Sequence, residues 1–185
     1  MTEFVGFPKI ARLSRECIIT EKIDGTNGQI FIGEEGEFLV GSRTQWITPE
    51  KDNFGFARWA YGNKEELMKL GPGRHFGEWW GAGIQRGYGL KEKRFSLFNV
   101  TRWSGMNAID RPNCCFVVPI LASGIFTTDI VDNTITMLKT HGSYAAEGFM
   151  KPEGIVVFHL AGNVGFKKTI EKDEEYKGKN KEVSA

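Results

Sequence analysis

The segment Thr20-Glu21-Lys22-Ile23-Asp24-Gly25-Thr26-Asn27-Gly28 sets a lysine at the end of an apolar run, followed by a carboxylate, a turn-forming asparagine and two glycines. A strand-to-turn junction of this kind holds an ammonium where backbone can come close to a ligand. Lys22 can act as a nucleophile once deprotonated, and partial burial with nearby cations would move its pKa toward neutrality. A hairpin with a solvated Lys22 is the plain alternative. Arg43, in Gly41-Ser42-Arg43-Thr44, offers a planar guanidinium suited to an anionic oxygen cluster, or is a solvated strand end. Glu78 lies in Phe76-Gly77-Glu78-Trp79-Trp80, and an acid among aromatics is uncommon unless it is paired or binds something. Glu153 precedes an apolar strand; it could hold a divalent cation through its oxygens, or is an exposed turn acid. In Phe166-Lys167-Lys168-Thr169 the two lysines are adjacent, so the period of two points them to opposite faces. If Lys167 faces a site, Thr169 takes the second position and Lys168 points away, unless the strand is bulged.

These groups need a frame. Cys17-Ile18-Ile19, Gln29-Ile30-Phe31-Ile32 and Phe38-Leu39-Val40, broken at Asp24-Gly25 and residues 33–36, read as an antiparallel meander. Helical spacing runs from Pro49 to Leu70 and stops at Gly71-Pro72-Gly73. Strands are expected at His75–Trp79, Phe95–Thr101 and Cys115–Leu121, with a glycine- and arginine-rich loop, Gly81–Gly89, after the first. Thr127-Thr128-Asp129 reads as the cap of a helix near Asp129–His141, ended by Gly142. Gly154–Leu160 and Val164–Ile170, joined by Ala161-Gly162-Asn163, read as a hairpin. Residues 1–170 are expected to form one α+β domain with largely antiparallel sheets and a few helices, and residues 171–185 a charged tail.

Composition narrows the class. The chain has 185 residues, 41% hydrophobic and 12% aromatic, enough for a real core. Lysine plus arginine number 24 against 23 acids, so the net charge of +1 excludes a general polybasic coat, and any polyanion must meet a local patch. No stretch is long and apolar enough for a membrane span, and no secretory h-region opens the chain, so a cytoplasmic monomer is expected, in a cell or encoded by a phage. The three cysteines, Cys17, Cys114 and Cys115, lack zinc spacing and suit reduced, buried thiols.

Lys22-Ile23-Asp24-Gly25-Thr26-Asn27 resembles the nucleotidyl-acceptor motif of the covalent nucleotidyltransferases, the superfamily of polynucleotide ligases and mRNA capping enzymes, and is most similar to the RNA ligase 2 branch. The other segments fall in that superfamily's order, so the resemblance spans Glu21 to Lys168 and nearly the whole chain. It implies an ATP-grasp-like ligase domain with the nucleotide between sheets, ATP as cosubstrate with AMP carried on Lys22, and Mg²⁺ or Mn²⁺. It implies that Glu78 contacts the ribose, that Phe98, in Arg94-Phe95-Ser96-Leu97-Phe98-Asn99, stacks on adenine, and that Glu153 takes the metal. Lys167 and Lys168 would bind phosphate, Arg43 would reach a phosphate or the incoming end, and Glu21, Ile23, Asp24 and Asn27 would shape the pocket. Catalysis would rest on Lys22, Glu153 and Lys167.

Asn99 stands where many relatives carry aspartate. The 17 residues after Lys168 are too few for an OB-fold domain, which disfavours capping enzymes and conventional DNA ligases. The expected function is ATP-dependent joining of RNA 3′-hydroxyl and 5′-phosphate ends, as in RNA repair. A minimal DNA ligase and a noncatalytic nucleotide- or nucleic-acid-binding module are the alternatives. Gly81-Ala82-Gly83-Ile84-Gln85-Arg86-Gly87 departs from a dinucleotide fingerprint and reads instead as a mobile loop offering Arg86 to a nucleic-acid backbone.

Overall fold

Alternating side chains make the strands, and each strand joins the sheet that can bury its apolar face. The computed structural model describes residues 2–105, 110–171 and 173. Among them are strands β1 (Glu16–Lys22), β2 (Thr26–Ile32), β3 (Phe38–Gly41), β4 (Trp46–Ile47), β5 (Gly73–Gly81), β6 (Lys93–Leu97), β7 (Cys115–Val117), β8 (Ile120–Ile125), β9 (Gly154–His159) and β10 (Val164–Thr169). The helices are α1 (Phe56–Gly62), α2 (Lys64–Leu67), α3 (Val100–Trp103) and α4 (Thr128–His141). One sheet has the order β10-β9-β1-β8 and the other β4-β3-β2-β5-β6-β7. Among the described residues only β6 and β7 pair in parallel, so the α+β, mainly antiparallel expectation holds.

The meander needs correcting. β2 and β3 do form a hairpin, but β1 belongs to the other sheet, between β8 and β9. A turn signal at Asp24-Gly25 serves equally for a hairpin and for a strand that changes sheets, and burial decides: Cys17 and Ile19 pack on α4 with Ile135, Leu138, Ile155 and Val157. The helical stretch expected over Pro49–Leu70 begins only at Phe56 and breaks at Asn63, ending in a 3-10 turn, Met68–Leu70, before Gly71. The strand expected over Phe95–Thr101 stops at Leu97, because the Asn99 side chain accepts from the Arg102 amide at 3.0 Å and opens α3. Pro119 divides Cys115–Leu121 into β7 and β8. The α4 cap at Thr127, its end at Gly142 and the β9–β10 hairpin stand where the sequence puts them.

The six-stranded sheet packs on α1 and α2 through Ile30, Phe56, Leu67, Trp79 and Phe95. A third cluster, with Ile23, Trp80, Tyr88, Val100 and Val118, lies where the sheets meet. The chain passes between the sheets at residues 23–25 and again at 118–119. These passages lie side by side, for the Glu21 amide donates to the Pro119 carbonyl at 3.0 Å. Cys17 and Cys115 are buried, Cys114 is half-buried, and all three are free thiols. Among the described residues no helix is long and apolar enough to cross a membrane. The expected tail, apart from residues 171 and 173, lies outside the described residues.

Candidate active site

The alternation of β1 sends Cys17, Ile19 and Glu21 toward α4 and leaves Ile18, Thr20 and Lys22 on the opposite face. That face forms one wall of a cleft of about 600 Å³, continued by Val156 and Phe158 of β9. The facing wall carries Asn27 of β2, Glu78 and Phe76 of β5, and Phe98 of the β6–α3 turn. Sequence positions far apart are thus brought to one cavity between the two sheets.

At one end, Lys22 Nζ lies 2.5 Å from Glu153 Oε2, with the two side chains 25% and 15% exposed. The contact follows from register: Lys22 is opposite Gly154, directly after Glu153. The carboxylate is the nearest acceptor for a proton leaving the amine. Its other oxygen, Oε1, has no hydrogen-bond partner among the described residues. A hard divalent cation fits such a donor, since Mg²⁺ commonly takes one or two carboxylates together with substrate phosphates. No cluster of three or more potential ligands exists among the described residues, so any cation there would lean on phosphate oxygens and water.

Glu78 is 8% exposed and accepts from the Gly25 amide at 3.1 Å and from Asn27 Nδ2 at 3.0 Å. Burial pushes its carboxyl up to about 7, opposed by the charge of Lys22 and those two hydrogen bonds, and assisted by Glu153. The folded state therefore keeps this proton where the unfolded chain, at an ordinary 4.5, has released it. The contribution is fully present below the unfolded value and is lost as pH rises through about 7. The wild-type chain is expected to lose roughly 2–3 kcal/mol of stability between pH 5 and pH 8. Urea unfolding across that range checks it. Glu78→Gln should remove most of the slope, leaving the share of Glu21, whose carboxyl is also raised by burial.

Gly25 makes the approach to Glu78 possible. A Cβ there would run into the Trp79 carbonyl, 2.7 Å from Trp80 Cβ and 3.1 Å from Glu78 Cγ. Gly25→Ala must displace the turn that follows Lys22. The expected result is a loss of about 1–3 kcal/mol, seen as a lower urea midpoint.

Several expected site residues meet the cleft differently. Glu21 contributes to its lining, yet its buried carboxylate is committed to Ser143 Oγ at 2.6 Å and to the Tyr144 and Ala145 amides at 2.8 and 3.0 Å. Ile23 lines the cleft from within the inter-sheet cluster. Asp24 turns to Arg86, whose Nε donates at 3.0 Å, and its own amide donates to the Tyr88 hydroxyl at 2.9 Å. Arg86 also donates to the Lys151 carbonyl at 3.0 Å. It ties Asp24 to the segment before Glu153 and is not offered to an outside polyanion. Phe98 lines the cleft and is 41% exposed, and its amide donates to the Phe76 carbonyl at 3.0 Å.

The adjacent lysines divide as alternation requires. Lys168 is opposite Ile155 and pairs with Asp132 of α4 at 3.3 Å, away from the cleft. Lys167 and Thr169 occupy the other face, Lys167 opposite the cleft-lining Val156. Arg43 is exposed on the β3–β4 turn and is not among the cleft-lining residues. Sequence reasoning missed Tyr88 and residues 143–145. Their partners Asp24 and Glu21 lie 64 and 122 or more positions away, and no local pattern signals such pairs.

The sequence profile described as RNA ligase matches residues 15–169. Comparison with curated protein sequences gave no match. Among solved structures, a variant of Naegleria gruberi RNA ligase with ATP and Mn is 22% identical with a TM-score of 0.67, covering 90% of this chain and 53% of that one. Another variant with ATP and Mn is 23% identical, TM-score 0.62, covering 83% and 48%. A third, with AMP and Mn, is 22% identical, TM-score 0.59, covering 85% and 50%. The chain spans about half the length of these relatives, and at such identities the likeness is one of fold.

Proposed function

The chain belongs to the RNA ligase family, and from that premise we propose that it joins RNA 3′-hydroxyl and 5′-phosphate ends at the expense of ATP, with AMP carried on Lys22. The observation that carries the reading is the pair Lys22–Glu153 at 2.5 Å, whose lysine lines one cleft with Glu78 and Phe98. A nucleophilic amine, a proton acceptor, a carboxylate that can receive ribose hydroxyls and an aromatic face are the groups such a reaction needs.

In the first step the Lys22 ammonium gives one proton to Glu153, and the neutral amine so formed attacks the α-phosphorus of ATP. The P–N bond forms, the bond to pyrophosphate breaks, and the second amine proton leaves with pyrophosphate and water. In the second, a 5′-phosphate oxygen attacks the same phosphorus, the P–N bond breaks, and the leaving amine takes its proton back. In the third, the 3′-hydroxyl attacks the activated 5′-phosphorus, its proton passes to the departing AMP or to water, AMP leaves and the phosphodiester closes. Phosphoryl transfer asks chiefly for alignment and charge neutralisation. Glu78 and Phe98 would align the nucleoside, and Lys167, which is not itself among the cleft-lining residues, would meet phosphate from its place on β10 opposite Val156. Mg²⁺ or Mn²⁺, held on Glu153 and phosphate oxygens, would withdraw charge from the transferring group.

The reading is tested by intact mass after incubation with ATP and Mg²⁺ or with GTP, followed by sealing of strands that end in a ribose or a deoxyribose 3′-hydroxyl. A gain of one AMP, with ribose ends sealed in preference, is expected. Uptake of GMP, or preference for deoxyribose ends, would overturn it.

A further inference from the structure

We propose that the face of the six-stranded sheet beyond Glu78 is a stacking platform for single-stranded RNA leading into the cleft, with Phe76, Arg74 and Trp46 as its contacts. This deepens the ligase reading and rests on it. Alternation along β2 and β5 stacks three cross-strand pairs on the cleft side: Asn27 with Glu78, Gln29 with Phe76, Phe31 with Arg74. Four residues of strand place Arg74 roughly 13 Å from Glu78, a span of two to four bases. The character of the face changes over that distance from polar to aromatic.

Phe76 is 50% exposed and Trp46 44%, although both sit in strands that could have turned them inward. The Arg74 guanidinium lies 4.9 Å from the Phe31 ring centre and 5.5 Å from that of Trp46, so the rings and the cation make one continuous surface. Gly41 lets the indole lie against the sheet: a Cβ there would come within 3.1 and 3.2 Å of Trp46 ring carbons and 3.3 Å of Gln29 Nε2. Among the described residues neither Arg74 nor the exposed Arg43 pairs with a carboxylate. Flat rings interleaved with uncompensated guanidinium groups suit bases and phosphates together, and the face is continuous with the proposed nucleotide cleft. A folded protein partner would need the rings but not the cations.

The test is fluorescence anisotropy of a labelled single-stranded ribo-oligonucleotide of about twelve nucleotides, titrated with nucleotide-free protein at low salt. Trp46→Ala should weaken binding roughly 5- to 100-fold, the range of one lost stacking contact. Trp46→Phe should restore most of it, and ATP-dependent gain of AMP should stay at the wild-type level in both. Binding that is absent in the wild type, or unchanged in Trp46→Ala and Phe31→Ala, overturns the platform. So does sedimentation showing a wild-type dimer that Trp46→Ala abolishes, or tighter binding of the deoxyribo strand. RNA binding that depends on Trp46 in a protein that never gains AMP would sink the ligase reading and leave the platform standing. AMP gain with binding indifferent to Trp46 would do the reverse.

Discussion

With Lys22 replaced by alanine, the chain is expected to keep its unmodified mass after incubation with ATP and Mg²⁺, while the wild type is expected to gain one AMP. No other amine among the described residues should substitute, because the attacking nitrogen must sit both at the cleft wall and 2.5 Å from Glu153, and among them register gives that place to position 22 alone. Lys22→Arg should fail as completely, since a guanidinium does not shed its proton in a protein. Both variants should fold, as the pair they break is partly solvated rather than core. Each should still close an RNA whose 5′ end is supplied already adenylylated, because the amine plays no part in the last bond. Loss of that activity too would mean that Lys22 positions the substrate and does not carry the nucleotide.

Glu153→Gln preserves the shape of the site and removes the charge that faces the Lys22 ammonium. AMP gain should slow by about 10²–10⁴, the usual worth of a positioned proton acceptor. The rate should recover in part as pH rises, because hydroxide and buffer then take the proton that Glu153 would have accepted. Single-turnover adduct formation across pH 6–9 measures both. A variant that is equally slow at every pH would assign Glu153 to metal or phosphate binding alone. One further readout is independent of turnover. Glu153 helps hold the Glu78 proton, so Glu153→Gln should move the Glu78 stability transition toward lower pH.

The local elements were largely legible. Thr127 and Gly142 bracket α4 because cap chemistry is carried by adjacent residues. The β9–β10 hairpin is likewise written in one short turn. What could not be read locally is which sheet receives β1. Its neighbour β9 lies some 130 positions downstream, and the Asp24-Gly25 signal is the same for either path. The site divides in the same way. Lys22, Glu78, Phe98 and Glu153 are found together because their segments keep a recognisable order. The true partners of Asp24 and Glu21, namely Arg86, Tyr88 and residues 143–145, come from loops with no pattern beyond glycine content. The paired lysines were ambiguous until the β10 register gave Lys168 to Asp132.

The two passages between the sheets, joined by the bond from Glu21 to Pro119, lie like the spine of a book whose covers are the two sheets. Lys22 lies next to that spine, so any parting of the covers would shift the amine little. The fore-edges travel furthest: β10 with Lys167 stands two strands, roughly 10 Å, from β1, and β4 with Trp46 stands as far from β2. If the ligase proposal holds, an RNA strand would be admitted and released at those margins while the Lys22 nitrogen stays still.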